Sequence, residues 1–336
     1  MRTIWLFRSN ILELEYYHKY RDLETFENNC HDFYLLILLY YLKNDIFDEV
    51  IVWRLSKRKT RDIVFDVNGK KFIQRWVKSF REVYKYSSPD ISLFRGGFPE
   101  YGEVVRENSS LFNKKLYLGA GRRLFPQYGG KYDIILLEDE RDFNKSYNCF
   151  PFYKTANPRI FKSLDFETKK YDLSWICNFT QIRHKGQKFF ISTVAKSSFL
   201  KSLHIVHVGN KPEVGEELCR RFNVTNIKFA GWVKRPDLNK LINKSKFGIV
   251  TSNSMDGCPR ASTEILCSGT PLLIRDQTRL LNYYKKIGVV EFSDNTLEEK
   301  VKQALSNYKK YFEDNMLSIN RLSFDTICKM NLDLWE

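Results

Sequence analysis

Ser254-Met-Asp-Gly-Cys-Pro-Arg-Ala-Ser-Thr-Glu-Ile-Leu-Cys-Ser-Gly-Thr-Pro-Leu-Leu-Ile-Arg-Asp276 lies between two apolar runs and contains both acids and small residues. Residues 247–250 before it are aromatic and β-branched and read as a buried strand, so a loop opens near Thr251. Pro259 is compatible with a helix start, and Gly269 followed by Pro271 is a stop signal. One short helix with Thr263, Glu264, Ile265, Leu266 and Cys267 is bracketed between them, and residues 272–274 resume as a strand. The order is that of a βαβ unit, in which ligands sit at the carboxyl ends of the strands. Asp256 in the loop and Glu264, expected in the first helical turn, fall at that end with seven residues between them. The helix N-terminus beside them offers unpaired N–H groups and the positive end of the helix dipole, which suits a phosphate.

The chain has 336 residues, more than one ordinary core holds, and its 43% hydrophobic content suffices for two. Met1 to Arg8 reads as a short strand without a small-residue cleavage site, so neither a signal peptide nor a spanning helix is expected. Seven widely spaced cysteines with no Cys-x-x-Cys pair fit reduced thiols in a cytoplasm and not a zinc site. His204 and His207 flank Ile205-Val206 and read as strand residues. The formal charge of +15 is uneven: residues 1–150 carry 25 basic and 21 acidic side chains, and residues 151–336 carry 30 and 19. A basic second half fits a domain that holds an anionic diphosphate. The block from Arg54 to Lys85, with Lys57-Arg58-Lys59, Arg61, Lys70, Lys71, Arg75 and Lys78, fits a solvated helix face or a contact with an anionic membrane surface.

Along the first half, strands are expected at residues 3–7, 49–55, 63–67, 90–95, 115–118 and 133–137, and helices at 31–43 and 71–86. Such alternation implies a parallel, doubly wound sheet. Gly96-Gly97 and Gly119-Ala120-Gly121 follow two of these strands, and Arg122 and Arg123 follow the second turn. Glycines there let a backbone approach a ligand and an arginine meet an anionic acceptor; tight turns with an exposed basic pair are an equal reading. Glu138-Asp139-Glu140 is the nearest approach to an acidic metal cluster, and first-turn helix acids explain it better. In the second half, strands at 173–179, 202–209, 226–229, 247–250 and 288–292 alternate with helices at 187–197, 213–222, 236–245 and 297–307. Trp232, within Gly231-Trp232-Val233, reads as a packing residue in preference to a base-stacking one.

Asp256 and Glu264 at their spacing, Gly269-Thr270-Pro271 and Lys185-Gly186 together resemble the family-four retaining glycosyltransferases of the GT-B fold. That family carries Glu, seven residues, Glu; here the first acid is Asp256. It also has an Arg five residues before the Lys, a place held here by Thr180, whereas Arg183 stands two before Lys185. The resemblance implies an α/β chain of two Rossmann-like doubly wound domains facing a central cleft, with a C-terminal helix crossing back. Residues 1–158 would form an acceptor-side domain, 159–318 a nucleotide-sugar domain, and 319–336 a segment returning to the first, with Asn157 to Lys162 entering the hinge. It implies Glu264 on the ribose, Asp256 on the transferred sugar, and the backbone of Gly257, Cys258, Pro259, Arg260, Ala261, Ser262 and Thr263 on sugar and phosphates. Lys185 and Arg183 would take the leaving diphosphate, Gly209 and Val233 would border the donor, and Gly96, Gly97, Arg122 and Arg123 would be acceptor-side candidates. The implied partners are a nucleotide sugar and a glycan or lipid-linked acceptor. No metal or other cofactor and no nucleic acid are expected, and the location is the cytoplasm or the inner face of the membrane.

Other readings keep the same residues. Glu264 would then be a first-turn acid favouring its own dipole and Asp256 an Asx-turn residue. The chain would be a non-catalytic GT-B protein, or a basic module for nucleic acid or an anionic surface whose binding falls steeply with salt.

Overall fold

The computed structural model describes residues 1–8, 22–30, 32–56, 61–96, 99–107, 109–119, 129–165, 168–179, 182–254 and 259–335. Contacts divide the chain into two units, Met1–Tyr153 with Cys328–Glu336, and Lys154–Ile327.

The first unit is built on an eight-stranded sheet of order β3-β4-β2-β1-β5-β6-β7-β8. Its elements are β1 (Thr3–Arg8), α1 (Leu23–Asn29), α2 (Phe33–Lys43), β2 (Glu49–Leu55), β3 (Ile63–Val67), β4 (Lys70–Val77), β5 (Ile91–Arg95), α3 (Pro99–Glu107), β6 (Lys114–Leu118), β7 (Ile134–Leu137) and β8 (Cys149–Pro151). Strand alternation sends Trp5, Phe7, Trp53, Phe94 and Tyr117 to one face, where they form an aromatic core with Phe80, Tyr101 and Phe112. Opposite lies α2, whose run Phe-Tyr-Leu-Leu-Ile-Leu-Leu is buried nearly all round. Residues of the returning C-terminus close this unit: the Tyr41 hydroxyl donates to the Cys328 carbonyl at 2.6 Å, and Asn331 exchanges two hydrogen bonds with the Tyr153 backbone.

Residues 71–86 are not a helix. They are β4 followed by a 3-10 turn, Phe80–Lys85. β3 and β4 pair antiparallel across Asn68-Gly69, whose φ values of 56° and 81° are those a primed hairpin turn needs. Asn-Gly between two strand-like runs was the signal that outweighed the basic pattern. The sheet is therefore mixed at this edge, and the basic block is not one helical face: Arg54 is buried, and Arg75 pairs with Asp62 and lies over Tyr86. Lys57, Arg58 and Lys59 lie outside the described residues. Glu138-Asp139-Glu140 has local work: Glu138 accepts from the Tyr34 hydroxyl, and Asp139 caps a 3-10 turn and holds Arg141.

The second unit is a six-stranded, wholly parallel sheet of order β11-β10-β9-β12-β13-β14. Its elements are β9 (Tyr171–Ile176), α4 (Ile182–Lys185), α5 (Gln187–Lys196), α6 (Ser198–Ser202), β10 (Ile205–Val208), α7 (Pro212–Phe222), β11 (Ile227–Phe229), α8 (Arg235–Asn243), β12 (Ser245–Val250), α9 (Arg260–Cys267), β13 (Leu272–Arg275), α10 (Asn282–Lys285), β14 (Val289–Phe292), α11 (Leu297–Ser306) and α12 (Tyr308–Ser318); α13 (Phe324–Trp335) begins here, and from Cys328 on it belongs to the first unit. Chain order reverses between β9 and β12, which makes the gap between their carboxyl ends the topological switch point. The segment after Asn157 is pinned, since the amide side chains of Asn239 and Asn243 on α8 bond the backbone of Lys162 and Leu164. Among the described residues six cysteines are free thiols, and no helix is long and apolar enough to cross a membrane.

His207 sits on β10, second from the edge of this sheet, fully buried, its ring among Trp175, Phe179 and Phe229 and its Nε2 2.9 Å from the Cys177 carbonyl. Burial pushes its pKa from 6.5 down to about 4, while the Cys177 bond opposes the shift. Above pH 6.5 the ring is neutral in both folded and unfolded chains. Between pH 6.5 and 4 only the unfolded chain gains the proton, so stability is lost as pH falls, by about 3 kcal/mol across that window. Urea unfolding at pH 7 and pH 5 is expected to show about 2 kcal/mol of this loss, with a flatter pH dependence in His207→Phe.

Candidate functional site

A cavity of about 190 Å³ opens at the switch point of the second unit. The ends of β9, β10 and β12 form its floor through Ile176, Cys177, Val208, Gly209, Val250 and Thr251. Lys185 from α4, Trp232 and Val233 from the turn after β11, Arg235 from α8, and Pro259, Arg260, Ala261 and Glu264 around the start of α9 form its walls.

Two glycines permit this floor. Gly186 has φ of +68°, and a Cβ there would stand 1.9 Å from the Thr251 carbonyl oxygen. A Cβ on Gly209 would stand 1.8 Å from that of Cys177. The chain therefore closes on itself beneath the cavity in a way no other residue allows. Thr251 ties the pieces together: its hydroxyl donates to the Lys185 carbonyl at 2.7 Å and accepts from the Trp175 indole at 3.1 Å. The Asn253 N–H adds a 2.9 Å bond to the His184 carbonyl. These bonds fix the backbone of Lys185 against the end of β12.

Glu264 is the fifth residue of α9, in its second turn, and is only 4% exposed. The expectation of a first-turn acid is thus corrected: Pro259 takes the cap position, so the helix begins at Arg260 and carries no acid in its first turn. Burial with solvated dipole acids is not compatible, and the carboxylate is instead held by Arg235, Nη1 to Oε1 2.9 Å. Arg235 is the member of the site that sequence reasoning missed. Lys234-Arg235-Pro236 looks like any basic helix entry, and only the packing of α8 beside α9 reveals the partner. The first turn of α9 has no side-chain cap, and its residues Arg260 and Ala261 border the cavity. Ser262 and Thr263 are buried beneath that turn, with the Thr263 hydroxyl on the Arg260 carbonyl.

Trp232 differs from expectation too. It is 59% exposed on the cavity rim and does not pack into the core, because Gly231 in the left-handed region turns the chain outward after β11. Lys185, Gly209, Val233, Pro259, Arg260, Ala261 and Glu264 are brought together on one cavity. Arg183 lies in α4, two residues before Lys185. Asp256, Gly257 and Cys258, like Gly97, Arg122 and Arg123 of the first unit, lie outside the described residues. Gly96 directly follows β5 with φ of +83°, and its N–H donates to the Leu118 carbonyl. Among the described residues no group of three or more His, Cys, Asp or Glu comes together as a metal site.

Residues 170–307 match the family model described as Glycosyl transferases group 1. The chain carries a group 1 glycosyltransferase domain. The matched residues include every wall of the cavity. No curated protein sequence matches the chain. Solved structures show that the fold around this glycosyltransferase domain is GT-B, two parallel-sheet domains. Sucrose-phosphate synthase from Thermosynechococcus elongatus aligns at TM-score 0.71 and 10% identity, over 100% of this chain and 98% of that one. A glycosyltransferase from Rickettsia africae aligns at 0.70 and 14%, over 99% and 97%. The Anabaena protein HepE, solved with UDP and glucose, aligns at 0.67 and 9%, over 99% of each.

Gly186→Ala is expected to destabilise the group 1 domain by more than ~1 kcal/mol, since both the left-handed backbone and the Thr251 carbonyl oppose a Cβ. Urea denaturation checks this, and an unchanged midpoint would show that α4 is not held against β12.

Proposed function

We propose that the protein transfers a sugar from a nucleotide-diphosphate donor to a glycan or lipid-linked acceptor, with retention of anomeric configuration and without a bound metal. What carries the reading is Glu264: a buried carboxylate at a switch-point cavity, opposite Lys185, inside the region that matches the family model. A carboxylate there takes the hydroxyls of a ribose. The base lies over Trp232 and against the Val233 backbone, and the diphosphate meets Lys185 and the open first turn of α9.

The chemistry asks for this arrangement. As the glycosidic bond breaks, negative charge grows on the leaving diphosphate, and fixed positive groups that need no rearrangement stabilise it most. Lys185 supplies a point charge on a backbone locked by Thr251, Arg183 a second cation from the same short helix, and α9 its dipole. In this reading Asp256 and the backbone from Gly257 to Thr263 hold the transferred sugar. Arg235 holds the Glu264 carboxylate in place. The work is done on the cytoplasmic side, where nucleotide sugars are made, with a peripheral membrane contact if the acceptor is lipid-linked.

The deciding experiment is thermal shift with UDP, GDP and ADP and their sugars, with and without EDTA. A ligand at 100 times its Kd adds about 2.7 kcal/mol of stability to the folded state. One nucleotide is expected to raise Tm equally in EDTA and to lose its effect in Glu264→Gln. No shift with any nucleotide would sink the donor site and favour a non-catalytic protein. Trp232→Ala should weaken nucleotide binding about tenfold, the size of one lost base stack. Proton NMR of the product should show the donor's anomeric configuration, and an inverted product would refute retention.

A further inference from the structure

The first unit has its own switch point, between β1 and β5, and it is occupied by arginines. Parallel pairing sets Arg8 directly beside Arg54 of β2. On its other side, one residue past the Phe7–Phe94 pair, Arg8 is flanked by Arg95 of β5. The three central strands β2, β1 and β5 thus end in a row of guanidinium-bearing residues about 5 Å apart. The aromatic core takes Phe7, Trp53 and Phe94 on the other face, so all three arginines stand on the α2 side. Arg8 and Arg54 are 1% exposed, and Arg95 is the most accessible of the three.

Each is held in place. Arg8 pairs with Asp32, which also caps α2 by accepting from the Tyr34 N–H at 3.0 Å. The Nε of Arg54 donates to the Gln74 side-chain carbonyl at 3.1 Å. The guanidinium of Arg95 lies 4.3 Å over the Tyr34 ring, whose hydroxyl donates to Glu138. The Nε of Arg95 is buried with no hydrogen-bond partner among the described residues. Like charges side by side across a sheet are destabilising, and burying guanidiniums costs hydration as well. The helix α2, eleven residues long, points its positive end at the same spot. Asp32 and Glu138 bring carboxylates to the same cluster, and Arg95, its Nε without a hydrogen-bond partner among the described residues, is the arginine placed to meet a further anion.

We propose that this row is the anion subsite of the acceptor: Arg95 grips a phosphate or carboxylate group through its planar fork, with Arg8 and Arg54 as fixed positive charge behind it. The proposal rests on the transferase reading above and names the class of its second substrate, an acceptor bearing an anionic group on the first unit.

Inorganic phosphate and glucose 6-phosphate, with glucose as the neutral control, can be titrated into the full chain by calorimetry. Buffer at constant ionic strength and a saturating nucleotide from the panel above keep phosphate away from the donor cavity; if no nucleotide binds, Glu264→Gln and Lys185→Ala serve for the same purpose. The wild type is expected to bind both anions and not glucose. Arg95→Gln should weaken this at least tenfold while nucleotide binding stays the same. Arg95→Lys, which keeps the charge without the fork, should fall between them and provides the comparison if Arg95→Gln does not fold. Absence of anion binding in the wild type, or equal affinity in wild type and either variant, would overturn the subsite. Failure of the donor reading shows itself separately, as nucleotide binding lost from the wild type.

Discussion

The second unit depends on one close approach, that of the α4–α5 corner to the end of β12. The Thr251 hydroxyl joins the Trp175 indole below to the Lys185 carbonyl above, and Gly186 lets the backbone pass within van der Waals contact of the Thr251 carbonyl. Trp175 is itself the centre of the domain's aromatic core, against Phe179, Phe190 and His207. The stiffness of the core is therefore transmitted in two hydrogen bonds to the cation that borders the cavity. A lysine on a free loop would lose rotamer and backbone freedom on meeting a diphosphate; here the backbone part of that entropy is already spent in folding.

A second constraint is electrostatic. Glu264 is buried in the second turn of α9, where a carboxylate without a partner would forfeit its hydration. Arg235 offsets this from a neighbouring helix, and the half-polar cavity keeps the pair within reach of solvent, where Arg235 is 28% exposed along its side chain. The small residues that surround Glu264 follow from packing: Gly248 on β12 leaves room for the Ile265 side chain, which would otherwise meet a Cβ at 2.5 Å. α9 thus sits close on the sheet, and Glu264 reaches the cavity instead of being held above it.

Both units reverse strand order at a central switch point, and they differ in what they place there. In the second, a carboxylate, an exposed tryptophan and an uncapped helix start surround an open cavity. In the first, three arginines stand in register, braced by Asp32, Gln74 and Tyr34. The same backbone solution is tuned by a handful of side chains at strand ends, which is why fold alone does not fix chemistry.

Much of the second unit was legible in its sequence because its signals are local. Continuous apolar runs mark fully buried parallel strands, Pro259 and Gly269 bracket α9, and Lys185-Gly186 and Glu264 stood out through the resemblance to a known family. The first unit was less legible: residues 70–77 set polar and apolar residues in pairs and show no strand alternation, although Asn68-Gly69 set the hairpin. Pairings across the chain had no sequence signal at all. Arg235 finds Glu264 only when α8 lies beside α9, Trp232 is exposed only because Gly231 turns outward, and Arg8, Arg54 and Arg95 become one row only through strand register. Local sequence by itself determined the elements and the βαβ order, because helix and strand preferences act over a few residues. Which charges meet was decided by tertiary structure, because Coulomb and hydrogen-bond energies depend on distances that only the folded sheet sets.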